Sequence, residues 1–253
     1  MWEPLSEPWR AYVGLAWEAY RAGSLPIGAA VADTEGRLLS SGRNRIHECT
    51  GPPGTVFGRK LAHAELNALL SLEGEDPRAC VLYTTTEPCP LCVGAARMAD
   101  VGGLRYASRE LWAGSADMFE TVPYLRRANL GLVRPENPRL EAVLVVLLVE
   151  RYLRLEPKVL PSFLNLYEEV MPSATRAARN VHSSGLLRTM GADGASAREM
   201  VLALSREILI PDAPVFFKVD LPKRALAKSP VGHDGVHSEH DEPGPDGHAN
   251  AEE

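Results

Sequence analysis

The 253-residue chain has no excess of positive charge: 27 Lys and Arg stand against 33 Asp and Glu, a net charge of −6. Nucleic-acid-binding domains usually show a basic face or a high pI. A globally basic binder is therefore excluded, while a local basic patch is compatible with the acidic average. Long apolar runs are also missing. The longest, "AVLVVLLV" at residues 142–149, has eight residues, far short of the roughly 20 that a membrane-spanning helix needs. It reads as a strand buried on both faces. The opening segment "MWEPLSEPWRAYVG" carries early acidic residues and no apolar stretch, which predicts neither a signal nor a transit peptide and a soluble, cytoplasmic protein. Cysteine is scarce: Cys49, Cys80, Cys89 and Cys92. With no export signal, a disulfide framework is a poor default. Cys89 and Cys92, spaced C-x-x-C, point instead to metal or redox chemistry.

What is present is an alternation of helical and strand patterns. Residues 9–22 have apolar residues at helical spacing, with Gly23 as C-cap. "LPIGAAVAD" and "GRLLSSGRN" read as strands joined by the turn "DTEG". A Gly- and Pro-rich loop follows, then the helix "AHAELNALLSL", the strand "ACVLYTTT", the helix "PLCVGAARMAD" and the strand "GGLRYAS". A helical stretch interrupted by Pro123 leads to "LEAVLVVLLVE", taken as the last strand. This order predicts a three-layer α/β domain over residues 1–155, with a five-stranded mixed sheet between helices. Residues 156–222 contain further helical patterns and read as an α-helical extension. Residues 223–253 lose apolar content and read as a disordered acidic tail, in which His233, His237, His240 and His248 are solvated.

The chemistry concentrates in two short segments. In "YTTTEPCPLCVGAARM", Cys89 and Cys92 lie at the start of a helix opening on Pro90. A helix N-terminus lowers thiol pKa values and suits thiolate ligands. Two cysteines three residues apart share a helix face and can grip one Zn²⁺; catalytic zinc sites add one more protein ligand and keep a position for water. His63, in "LAHAELNALL", supplies that ligand if the two helix N-termini meet at one sheet edge. Glu65 cannot readily join His63 on the same metal. It can reach the water that the metal activates, accept its proton and deliver it to a substrate nitrogen. Leu66, Leu69 and Leu70 of this helix pack towards the sheet.

"HAE" at residues 63–65, followed by "EPCPLC" at 87–92, resembles the cytidine and deoxycytidylate deaminase superfamily, whose zinc enzymes carry H-x-E…P-C-x-x-C. With "LPIGAAVA", "GRNR" and "HAELNAL", it most resembles the branch of guanine deaminases and tRNA adenosine deaminases. The specific part spans residues 63–92; the element order is similar over about residues 9–150. The resemblance implies one Zn²⁺ per chain held by His63, Cys89 and Cys92, with Glu65 as proton shuttle. It implies that the backbone N–H groups of Ala64 and Cys89 face the substrate, and that Asn44 bonds the substrate ring or sugar. It also implies parallel pairing of the last two strands, and hydrolysis in which zinc-activated water attacks a carbon bearing an exocyclic amine. Outside the motif, Trp112 is a candidate for stacking on a base and Asp117 for contacting a ring N–H. Their plainer readings are a core or surface Trp and a helix N-cap. Glu87 reads as a hydrogen-bonding support, and Pro26 and Gly28 as strand entry and close packing.

Three functions fit. The first is deamination of a small base, nucleoside or related heterocycle, guanine-like or cytosine-like first. The second is tRNA adenosine deamination. The third is a non-catalytic zinc-binding subunit. Glu65 argues against the third. Charge argues against the second: residues 1–155 hold 17 Lys and Arg against 18 Asp and Glu, with no surplus cations for phosphates. The family's tRNA enzymes tend to carry a basic C-terminal helix, which this chain lacks. Two features depart from the family pattern: the loop at residues 45–62, where the pocket mouth is expected, and the helical extension. A homodimer is expected, with the extension covering the pocket, completing it from a neighbour or mediating the pairing.

Overall fold

In the computed structural model, which describes residues 2, 3, 5 and 7–208, the first helix, α1 (Glu7–Arg21), ends before Gly23, whose φ of +89° suits a residue without a Cβ. β1 (Gly28–Asp33) and β2 (Leu38–Arg43) form a hairpin. They are followed by α2 (Ala64–Leu70), β3 (Cys80–Thr84), α3 (Pro90–Met98) and β4 (Gly103–Tyr106). Two short helices, α4 (Met118–Thr121) and α5 (Pro123–Arg126), lead to β5 (Gly131–Val133). The five strands lie in the order β2-β1-β3-β4-β5. β1 is antiparallel to β2 and β3, and β3, β4 and β5 are mutually parallel. The sheet is five-stranded and mixed, as the sequence predicts. The crossover that a parallel β4–β5 pair requires is supplied by α4 and α5.

Alternation along β1 assigns its two faces. Ala29 and Val31 join Ala64 and Ala68 of α2 and Val93 of α3 in one buried cluster. Gly28 faces α1, where a Cβ would lie 2.1 Å from the Tyr12 carbonyl oxygen and 2.8 Å from Leu15 Cβ. On β2, Gly42 admits α2 equally closely, with Ala68 N 2.5 Å from a Cβ position. Small residues thus bring the helices down on both faces. Leu70, expected to face the sheet, is 59% exposed; Ala64 and Ala68 take the sheet-facing positions because their short side chains allow this close approach. Gly28→Ala is expected to destabilise the fold by about 1–3 kcal/mol through overpacking, read as a lower urea midpoint. Gly14→Ala, with open space around it in α1, is expected to be neutral or to gain up to about 1 kcal/mol in helix propensity.

One element is a helix where the sequence predicts a strand. "LEAVLVVLLVE" lies inside α6 (Pro138–Leu155), and the last strand is the short β5. The apolar run satisfies the pattern of a doubly buried strand, but a helix enclosed on all sides has the same pattern. Here α6 is enclosed by α1 and by three further helices, α7 (Leu160–Val170), α8 (Pro172–Ser184) and α10 (Ala197–Glu207). Its start is set locally: Pro138 occupies the first turn, and the Asn137 side chain accepts the Leu140 N–H at 3.1 Å. Between α8 and α10 runs α9 (Leu186–Ala192), separated from α8 by Gly185 at φ +69°. Residue 155, where the sequence predicts a boundary, ends α6, which packs in one core with α7, α8 and α10 beyond it; the expected tail, residues 223–253, lies outside the described residues. No helix among the described residues is long and apolar enough to cross a membrane.

Candidate metal centre and active site

The N-termini of α2 and α3 meet on one face of the sheet. His63 is the N-cap residue of α2 and Cys89 that of α3, and neither side chain is used in capping. Both are left free to point outward from their helix ends. His63 Nδ1 lies 3.5 Å from Cys89 Sγ and 3.4 Å from Cys92 Sγ, and the two sulfurs are 3.7 Å apart. Zn–S bonds of about 2.3 Å and a Zn–N bond of about 2.0–2.1 Å in tetrahedral geometry require N···S of about 3.5 Å and S···S of about 3.8 Å. The observed triangle therefore fits one zinc ion. Among the described residues, this is the one group of three or more His, Cys, Asp or Glu whose ligand atoms converge in this way.

The electrostatics agree. Hydrogen bonding from the Cys92 thiol draws the Cys89 thiol down to about 4 against the opposing effect of burial, with His63 contributing. The bond to Cys89, together with burial, pushes Cys92 up. Two sulfurs this close both ionise only beside a cation, and a divalent metal does this outright.

Glu65 sits in the first turn of α2 and is buried. Burial raises its pKa. Its Oε1 accepts from the Thr84 hydroxyl at 3.3 Å, a contact made at the end of β3 and absent from the sequence reading. Asn44 is fully buried, and its Oδ1 accepts the Ile46 N–H at 3.2 Å, while its Nδ2 has no hydrogen-bond partner among the described residues. Ala64 is the first residue of α2, so its N–H belongs to a helix end whose donors lack intrahelical partners.

Two loops frame these groups. The loop at residues 45–62 is held by Asn67, a buried residue that the sequence reading did not single out. Its Oδ1 accepts the Val56 N–H at 2.7 Å, and its Nδ2 donates to the carbonyls of Val56 and Arg43. The signal available was a polar residue on the helix face otherwise occupied by Ala64 and Ala68. The second loop, residues 108–117, is tied beside the Cys89 segment. Glu87 accepts the Ala116 N–H at 3.1 Å, Ser115 N–H donates to the Pro88 carbonyl at 2.9 Å, and burial raises the Glu87 pKa to about 6. This is the supporting part expected of Glu87. Trp112 stands on this loop, 40% exposed. Asp117 occupies the N-cap position of α4, but its side chain accepts no capping bond. From the helical extension, the Tyr167 hydroxyl donates to Glu110 at 3.1 Å and accepts the Leu111 N–H at 3.2 Å. Residues after 155 therefore anchor this loop.

Fold and site together define a zinc-binding α/β domain with a buried carboxylate two residues beyond the histidine ligand. The family model of the cytidine and deoxycytidylate deaminase zinc-binding region matches residues 6–107. Guanine deaminase of Bacillus subtilis is 31% identical over 117 residues, 44% of this chain and 69% of that enzyme. The chain belongs to the cytidine and deoxycytidylate deaminase family. The tRNA(Ile)-lysidine synthases of Deinococcus deserti and Deinococcus radiodurans are 39% and 32% identical over 107 and 117 residues, 41% and 45% of this chain. This chain spans about a fifth of their length, 19% of each.

Proposed function

We propose that this protein is a zinc-dependent aminohydrolase that replaces an exocyclic amine on a nucleobase, nucleoside or related heterocycle with oxygen from water, releasing ammonia. One observation carries the reading: a buried carboxylate, Glu65, held by Thr84 beside a His-Cys-Cys triangle of zinc dimensions. A zinc ion bound by His63, Cys89 and Cys92 supplies a Lewis acid that activates water. Glu65 takes the proton of the attacking water and passes it to the amine nitrogen, which leaves as ammonia. Its raised pKa suits a group that must both accept and return a proton. The Nδ2 of Asn44 would offer a donor to a ring or sugar acceptor, and the N–H groups of Ala64 and Cys89 would contact the ring. Trp112 and Asp117 are proposed to complete the pocket from the second loop.

Guanine-like and cytosine-like rings are the first candidates, supported by the length of the guanine deaminase match. tRNA adenosine is the second reading, supported by the similarity to the tRNA-specific adenosine deaminase of Aquifex aeolicus, 32% identical over 81 residues, 30% of this chain and 48% of that enzyme. A homodimer belongs to the same proposal, supported by the exposed Leu91 and Met98 on α3 beside Tyr124. Ammonia release from a panel of bases, nucleosides and tRNA tests the choice. Release from a small molecule supports the main reading, inosine appearing only in tRNA replaces it with the second, and zinc binding without turnover on any of them replaces it with a non-catalytic subunit.

A further inference from the structure

A cavity of about 620 Å³ is formed by the C-terminal ends of α1 and α6, the end of β2 and α9, and it is lined by Arg21, Arg43, Arg151, Arg154 and Arg188, together with Glu18. Its lining includes none of His63, Glu65, Cys89 and Cys92. The charges behind it do not cancel. Arg43 is engaged by Glu48, which also holds Arg45, and Glu18 lies 3.8 Å from Arg43 Nε. Glu150 is shared among Arg154, the Tyr20 hydroxyl and His182. Arg21, Arg151 and Arg188 form no ion pair among the described residues.

Arg151 is the decisive member. It is only 7% exposed, makes no hydrogen bond among the described residues, and its Nε is unsatisfied. Its guanidinium is offset only by the face of the Tyr20 ring at 5.6 Å and by the distributed charge of Glu150. Burial lowers its pKa, yet an arginine keeps its proton in a protein. A buried cation without a dedicated counter-charge is costly unless an anion completes it. Planar guanidinium groups match phosphate oxygens in bidentate fashion, and the volume lies in the range of small-ligand sites.

We propose that this arginine cavity binds a small multivalent phosphate anion, either pyrophosphate or the phosphate chain of a nucleotide, at a site separate from the metal centre. Arg151 forms its floor, and Arg21 and Arg188, both exposed at its edge, close on the outer oxygens.

Isothermal titration of the full chain at physiological ionic strength, with sodium pyrophosphate and with a nucleoside triphosphate, tests this. One site per chain with micromolar affinity is expected, and a short RNA should not displace the ligand. Arg21→Gln and Arg188→Gln, which leave the buried part intact, should each weaken binding about tenfold. Arg151→Met, checked for folding by circular dichroism, should abolish it. Affinity no better than that for sulfate, or binding unchanged in the two exposed variants, overturns the proposal. So does RNA binding through these arginines without competition by pyrophosphate. None of these readouts depends on deaminase activity.

Discussion

Glu65→Gln is expected to lower ammonia release by about 10²–10⁴-fold, the usual contribution of a positioned acid–base group, with zinc content unchanged. The amide keeps the volume of the carboxylate, so the first turn of α2 and its contact with β3 are retained. Thr84, 3.3 Å from Glu65 Oε1, can still donate to an amide oxygen. What is lost is the ability to take a proton from water and return it to the departing nitrogen. His63 and the two cysteines are untouched, so metal analysis of the same preparation should still give one zinc per chain. Turnover within about tenfold of the parent, with zinc in place, would remove Glu65 from the proton path.

The second large effect is on the metal itself. Cys92→Ala is expected to weaken zinc affinity by well over 100-fold, since even groups that only orient a ligand contribute about 10–100-fold. It should abolish turnover. Cys92 is fully buried at the start of α3, so removing its sulfur also leaves a small void and an unshared Cys89 thiolate beside His63. A lower melting temperature, insensitive to added zinc, is therefore expected alongside the metal loss. Cys49→Ala is the control: this thiol is exposed and lies outside the triangle, and its removal should leave metal content and melting temperature unchanged. Full zinc occupancy in Cys92→Ala would dismantle the proposed centre.

These predictions rest on residues legible from the sequence because their relations are local. H-x-E within one turn, and C-x-x-C at a Pro-opened helix start, fix the relative directions of side chains by helical geometry alone. That the two helix starts meet follows from the βαβ crossover. The strands up to β4 could be anticipated from their own local patterns. The last strand could not. "AVLVVLLV" has a strand-like composition, and its helical state depends on enclosure by α1, α7, α8 and α10, drawn from positions up to about 130 residues away in sequence. The Asn137–Pro138 start was the local clue, and the apolar run outweighed it.

The sequence by itself determined which atoms can hold a metal and which carboxylate stands beside it, because those relations lie within single helical turns. Only the tertiary structure decided what surrounds them. Asn67 became a loop clamp because β2 and the 45–62 loop fold over it. Tyr167 reached the Trp112 loop from the helical extension. Arg151 became a buried cation because the helices around α6 enclose it, and the cavity it lines is shared with Arg21 and Arg188, which lie far from each other in sequence. Burial is a property of the assembled neighbours, so neither the missing counter-charge at Arg151 nor the free donor of Asn44 can be read from an unfolded chain.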